Sequence, residues 1–207
     1  MKKYMRKLLK IFNLSKKKLV FLIGLLIVGV ISGSLFSIII NNTDQKIVVD
    51  YLENFITLIQ NDKFNSFETL LNSIVFNYSY AIIIWLLGIS IIGLPIIVFM
   101  YFGKCFTLGF TISSVIRKFG LKGCIISFGY TFPHYIINVF IFSVLTLYSA
   151  TLSLKMVKSI IGCKNIDFKQ IIRKYLYVIF ISLIVLLCTG LCESFLMPKI
   201  LKFILKI

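Results

Sequence analysis

The sequence predicts an all-α polytopic transmembrane helical bundle of five spans, the third short enough to be re-entrant instead, with a small amphipathic helical loop outside the bilayer. Three observations predict it. Of 207 residues, 59% are hydrophobic, and the mean hydropathy of +0.99 is too high for a chain that wraps one core in a polar surface. The apolar residues gather into runs of bilayer length separated by short basic segments. Five of the seven acidic residues, Asp44, Asp50, Glu53, Asp62 and Glu68, fall between Asn41 and Asn77, so one loop is compositionally a different material.

Residues 1–18 form a basic segment. Lys2, Lys3, Arg6, Lys7, Lys10, Lys16, Lys17 and Lys18 stand there without an acid, which places the N-terminus in the cytoplasm. The net charge of +16 does not point to nucleic acid. The cations flank apolar runs and do not line a polar face interleaved with aromatics. The first span, 19–40, carries no charge, and at about 1.5 Å per residue it crosses a hydrocarbon core of about 30 Å. It lacks a small-residue cleavage site and reads as an uncleaved signal anchor.

The loop 41–77 holds two amphipathic helices. From Lys46 to Asn61 the polar residues Asp50, Glu53, Asn54, Thr57, Gln60 and Asn61 recur at helical spacing, with Val48, Leu52, Phe55 and Ile59 opposite. A second helix starts at Asn65, an N-cap residue with Glu68 three positions on, and its stripe is Phe67, Leu70, Leu71, Ile74 and Val75. Such faces need a cover: lipid, the protein's own spans, or another protein. Leu52, Phe55, Ile59, Phe67, Leu70 and Leu71 are the candidate partner-binding residues.

The bundle 78–197 contains runs Tyr78–Met100, Phe102 to about Lys118, Gly123–Ala150 and Tyr175–Met197, with a basic loop at 151–174 and an amphipathic tail at 198–207. If the third run spans, the basic loop is cytoplasmic and the tail lies outside. The distribution of cations does not separate this arrangement from the re-entrant one. Gly29, Gly33 and Ser37, and likewise Gly123, Ser127 and Thr131, make small-xxx-small ridges for close helix contact. Pro95 and Pro133 fall inside the second and fourth runs, where a missing N–H and a steric clash predict kinks.

Five cysteines, at 105, 124, 163, 188 and 192, show neither a disulfide framework nor zinc spacing and read as small packing residues. His134 and Glu193 are ionisable groups inside spans, where function is the default reading. The bland alternative is a neutral imidazole bonded to a backbone carbonyl or to Asn138, with Glu193 reaching interfacial water. A His–Glu relay requires similar depth, and the sequence places one centrally and the other peripherally. One histidine, acids concentrated in a single loop and no Gly-rich phosphate loop assemble no catalytic constellation. No cofactor or metal is called for.

Gly93-Leu94-Pro95, the apolar run into Phe102-Gly103-Lys104, and Leu108-Gly109-Phe110 resemble the stage II sporulation protein M family, as do Phe132-Pro133-His134, Glu193-Ser194-Phe195 and Pro198. The resemblance covers nearly the whole chain. The wider family has Pro-His-Gly with a Glu one turn beyond the His, where this chain has Tyr135 and Asn138. The resemblance implies a non-enzymatic scaffold in endospore formation, in the septal and engulfing membrane of the mother cell. Its implied partners are two peptidoglycan hydrolases, a lytic transglycosylase and an amidase/endopeptidase, and a homo-oligomer is open. The competing reading is a small permease or channel using the kinked helices and His134.

Overall fold

In lipid every backbone polar group must be satisfied within the protein, which leaves helices as the available solution for a chain of this composition. A computed structural model of the chain describes residues 16–90, 92–160 and 168–206. The readings on Lys2, Lys3, Arg6, Lys7, Lys10, Cys163 and Lys164 lie outside the described residues. The described residues form α1 (Lys16–Ile39), α2 (Asn42–Gln60), α3 (Ser66–Ile89), α4 (Gly93–Ile126), a π-helical turn (Ser127–Thr131), α5 (Phe132–Ile160), α6 (Phe168–Leu191), a second π-helical turn (Cys192–Leu196) and α7 (Met197–Lys206).

Four helical stretches are long and apolar enough to cross a membrane: Lys17–Ile39, Ser66–Ile89, Gly93–Val157 and Ile171–Leu205. The third folds back on itself. Gly120, at φ 57° and ψ −131°, interrupts α4 in a region that only glycine enters cheaply. A side chain on nearby Gly123 would strike the Val115 carbonyl oxygen. Beyond the turn the two limbs run antiparallel: Tyr101 and Ser143 share a hydrogen bond of 2.7 Å, and Lys104 lies over the Phe142 ring. The described residues therefore make five passes.

The boundary between the second and third passes differs from the sequence reading. The chain turns between α3 and α4, inside the run Tyr78–Met100, and α3 begins at Ser66, so the second amphipathic helix and the second span are one helix. Its start is capped as its sequence predicts, by Asn65 Oδ1 accepting from the Glu68 N–H at 3.3 Å. The third pass runs from Gly93 to the Gly120 break and is neither short nor re-entrant. Hydropathy does not mark this turn because no charge stands in it. Glycine does, since a Cβ on Gly93 would collide with the Leu87 carbonyl oxygen. Pro95 consequently lies in the first turn of α4, where its missing N–H has no helical acceptor to lose. It starts a helix and does not kink one.

Without a hydrophobic force between helices in lipid, close backbone approach holds them together. The predicted ridge on α1 does this against α4. Gly29 faces Cys105, Gly33 abuts the Phe106 carbonyl, and Gly109 reciprocates against the Val30 carbonyl. Ser37 Oγ donates to Ser113 Oγ at 2.9 Å, and Arg117 donates to the Ser37 carbonyl at 2.7 Å, satisfying an acceptor that the end of α1 leaves open.

Among the described residues two cores result. One lies toward the connection between α3 and α4, where Ile84, Ile97, Tyr101, Phe142 and Leu145 are at most 1% exposed. The other lies at the opposite end, where Ile59 of α2 packs with Val115, Ile126 and Leu201, flanked by Leu52, Phe55, Ile56 and Phe64. This second core makes a cap, pinned by Glu53 to Lys118 and by Asp62 to Lys202, each at 2.5 Å. The stripe of α2 is thus covered by the chain itself.

The glycine contacts give a direct test. Gly33→Ala places a methyl against a backbone carbonyl that cannot rotate away, and is expected to lower unfolding stability in detergent by about 2 kcal/mol, as overpacking does. Gly24→Ala, with no atom within 4 Å of the added carbon, is expected to leave it unchanged.

Candidate functional site

Past the connection between them, α3 and α4 touch. The Tyr80 hydroxyl donates to the Met100 carbonyl at 2.5 Å, and Lys104 Nζ donates to Asn77 Oδ1 at 3.1 Å. Farther toward α2 the space between the two helices is not filled. It forms a cavity of about 910 Å³, within the size range of small-ligand sites. Polar residues face it from α3 (Glu68, Thr69, Asn72, Ser73, Asn77) and from α4 (Lys104, Thr107, Thr111). His134 and Asn138 of α5, together with Glu193, close the back.

A chain of polar contacts links four helices at the deep end. Asn77 Nδ2 donates to Ser73 Oγ at 3.2 Å, and Ser73 Oγ donates to Glu193 Oε2 at 2.6 Å. The other carboxylate oxygen, Oε1, lies 3.8 Å from His134 Nε2, beyond hydrogen-bond reach. His134 Nδ1 is 2.8 Å from the Tyr130 carbonyl, and since a carbonyl only accepts, Nδ1 carries the proton of that bond. Thr189 Oγ1 donates to Asn138 Oδ1 at 2.6 Å. The Lys104 ammonium also lies 4.7 Å and 4.9 Å from the centroids of the Tyr80 and Phe142 rings, within cation–π range.

The sequence separates His134 and Glu193 in depth; the structure brings them together. Helix continues past Glu193 through the second π-helical turn into α7, and the pass that holds His134 begins just after Gly120. Each residue therefore lies well inside its helix. Asn138, which the sequence offers as a partner for the imidazole, bonds Thr189.

The prolines explain the local geometry. Pro133 and Pro198 each stand two positions beyond a π-helical turn, and in those turns the Phe132 and Met197 N–H groups bond the Ser127 and Cys192 carbonyls. In a regular helix the proline ring collides with the carbonyl four residues back. Widening the preceding turn relieves that collision, and such turns recur at functional sites. The kink expected at Pro133 appears as a widened turn immediately before His134, and Glu193 sits within the other.

The remaining motif residues have packing places. Gly93 and Pro95 form the α3–α4 turn and helix start, Gly109 meets α1, and Gly103 lies where an added Cβ would be 3.4 Å from the Tyr80 hydroxyl. Among the apolar candidates, Leu52, Phe55 and Ile59 belong to the cap, and Leu70 faces Gly190. Phe67 and Leu71 are exposed. Cys105 is buried, whereas Cys188 and Cys192 are exposed and not packing residues. Among the described residues, no group of three or more His, Cys, Asp or Glu is placed to hold a metal ion.

Asn72, Ser73, Asn77, Thr107 and Thr111 escape the sequence reading. A signal for them exists: Glu68 and Asn72, Ser73 and Asn77, and Thr107 and Thr111 are i,i+4 pairs inside otherwise apolar helices, which puts each pair on one face. The Lys104–Asn77 contact yields a prediction. Asn77→Leu strips an acceptor from a half-buried ammonium and is expected to cost about 1–3 kcal/mol in thermal unfolding. Adding Lys104→Met to that variant is expected to restore most of the loss.

A family model described as Stage II sporulation protein M matches residues 19–198 of the chain. No curated protein and no solved structure matches it.

Proposed function

This chain belongs to the stage II sporulation protein M family, and on that footing we propose that it is a membrane scaffold in endospore formation. It anchors peptidoglycan hydrolases at the septal and engulfing membrane of the mother cell while the forespore is engulfed. In this reading the N-terminus is cytoplasmic, following its excess of lysine, and the α2 cap faces the cell wall. The partners are a lytic transglycosylase and an amidase/endopeptidase. The chain performs no chemistry of its own.

The observation that carries this reading is an exposed apolar ridge beside a fixed cap. Phe67, Leu71 and Val75 of α3 are 65%, 47% and 61% exposed and stand one above another at i,i+4 spacing, the pattern by which one helix is recognised by another. The ridge begins at the capped start of α3, next to the cap that its own core and two ion pairs hold in place. A scaffold needs that combination: spans that fix its position, and an outward feature that a transmembrane or juxtamembrane segment can grip.

The second reading, a small permease, is favoured by the polar cavity. Two facts weigh against it. The third pass is a full helix and not a re-entrant half-helix, and on the far side of Lys104 the bundle is filled by Ile84, Ile97, Tyr101, Phe142 and Leu145. A solute entering from the cap side meets packed side chains there.

The scaffold reading is tested by charging the ridge. Phe67→Asp with Leu71→Asp is expected to leave membrane insertion intact and to reduce co-purification of both hydrolases at least tenfold, the equivalent of about 1.4 kcal/mol. Unchanged recovery of the hydrolases removes the ridge as their binding surface. Phe55→Asp serves as a contrast, because it buries a carboxylate in the cap core and is expected to act through misfolding.

A further inference from the structure

We propose that the cavity between α3 and α4 is a binding site for an organic anion, its charged head at Lys104 and its apolar body beneath α2. Lys104 supplies the charge. Among the described residues its ammonium, which can donate three hydrogen bonds, donates to one acceptor, Asn77 Oδ1. Its remaining surroundings include the faces of Tyr80 and Phe142, which attract a cation without accepting a conventional hydrogen bond. The nearby carboxylate of Glu193 is turned to Ser73 and His134. A partly solvated ammonium at the floor of an open cavity is a site for a carboxylate or phosphate oxygen, with Thr107 and Asn138 lining the same space for hydroxyl or amide groups.

The far wall defines the rest of the ligand. Toward α2 the lining becomes mainly apolar, with Phe55, Phe64, Val115, Phe119 and Leu201 on the inner face of the cap and the charged Lys63 and Glu68 at its exposed rim. An inorganic anion leaves that part of the roughly 910 Å³ space unused. A phospholipid of the adjacent leaflet has its head toward water and its chains toward the bilayer centre. Here the charged end is the deep one and the apolar end lies under the cap, the reverse order. The shape and polarity fit a free amphiphilic acid that enters head first. Asn72 and Thr69 at the exposed edge of α3 give its head a polar route.

The test uses the full chain in phosphatidylcholine nanodiscs, with thermal unfolding as the readout and octanoate, acetate and octyltrimethylammonium as probes. Octanoate at about ten times its dissociation constant is expected to raise the midpoint by about 4 °C, since a ligand that binds only the folded state stabilises it. Acetate at the same concentration is expected to do much less, and octyltrimethylammonium, of equal chain length and opposite charge, is expected to give no rise. The octanoate shift is expected to vanish in Lys104→Met and to shrink in Asn72→Trp, which narrows the mouth without touching the floor. An octanoate shift that persists in Lys104→Met, or that octyltrimethylammonium matches, overturns the site. If a Lys104-dependent rise appears only in phosphatidylglycerol discs and never with octanoate, the free-acid assignment is wrong and the group bound is a lipid head. Each outcome is independent of hydrolase co-purification, so the scaffold reading stands or falls separately.

Discussion

A charged side chain inside the apolar part of a membrane bundle must be solvated by the protein, and much of the arrangement around the cavity follows from where Lys104 is held. Its ammonium reaches across to Asn77, which ties α4 to α3 at that level. Asn77 leans on Ser73, Ser73 on Glu193, and Glu193 stands beside His134. One cation on the third pass thereby reaches polar groups on the second, fourth and fifth. Below this level the helices pack with apolar side chains, glycine and a few hydrogen bonds such as that between Tyr101 and Ser143. Above it the polar faces of α3 and α4 stand apart and leave the cavity. Isolated polar groups in lipid are expensive; linked in this way, they specify which helices are neighbours and at what depth.

Much of the fold was legible because its signals are local. The ridge Gly29, Gly33, Ser37 identified the face of α1 that meets α4, and Asn65 with Glu68 identified the start of α3. The α2 stripe Leu52, Phe55, Ile59 identified a face that needed covering. What covered it was not legible, since Val115, Ile126 and Leu201 lie far along the chain. The turn between α3 and α4 was hidden for a different reason. Two spans joined without a charged residue make one continuous hydropathy peak, and the informative residues are then Gly93 and Pro95, whose meaning depends on being recognised as a helix start and not as a helix interior.

The site was legible in its residues and obscure in its geometry. His134 and Glu193 stood out as ionisable groups in apolar runs, and Lys104 as part of the motif Phe102-Gly103-Lys104. Their mutual placement depended on where the passes begin and end, which a shift of a few residues changes. Pro133 and Pro198 carried more than their usual meaning. Each follows a widened turn, and the two turns bring His134 and Glu193 to the back of one cavity. From sequence a proline in a span predicts a bend; whether the bend becomes a kink or an extra residue in the preceding turn depends on how neighbouring helices pack, which is tertiary information. Tyr135 and Asn138, where the wider family carries glycine and glutamate, fit the same view. Here the carboxylate facing the imidazole comes from the last pass.

The two halves of the molecule suit different tasks. The half near the connection between α3 and α4 is close-packed at its centre: Tyr175 bridges Ser149 and the Trp85 carbonyl, a side chain on Gly88 would strike Tyr175 and Ser149, and Ile84, Ile97, Phe142 and Leu145 are fully buried. The half near the cap is open, with a cavity inside and an apolar ridge outside. A conducting protein needs both halves to open in alternation or together, and a locked, close-packed half stores little capacity for that. A protein that holds partners in place needs one rigid half as an anchor and one half with features to grip. An acid bound in the cavity would touch both α2 and the polar face of α3, the helix whose outer face bears Phe67 and Leu71.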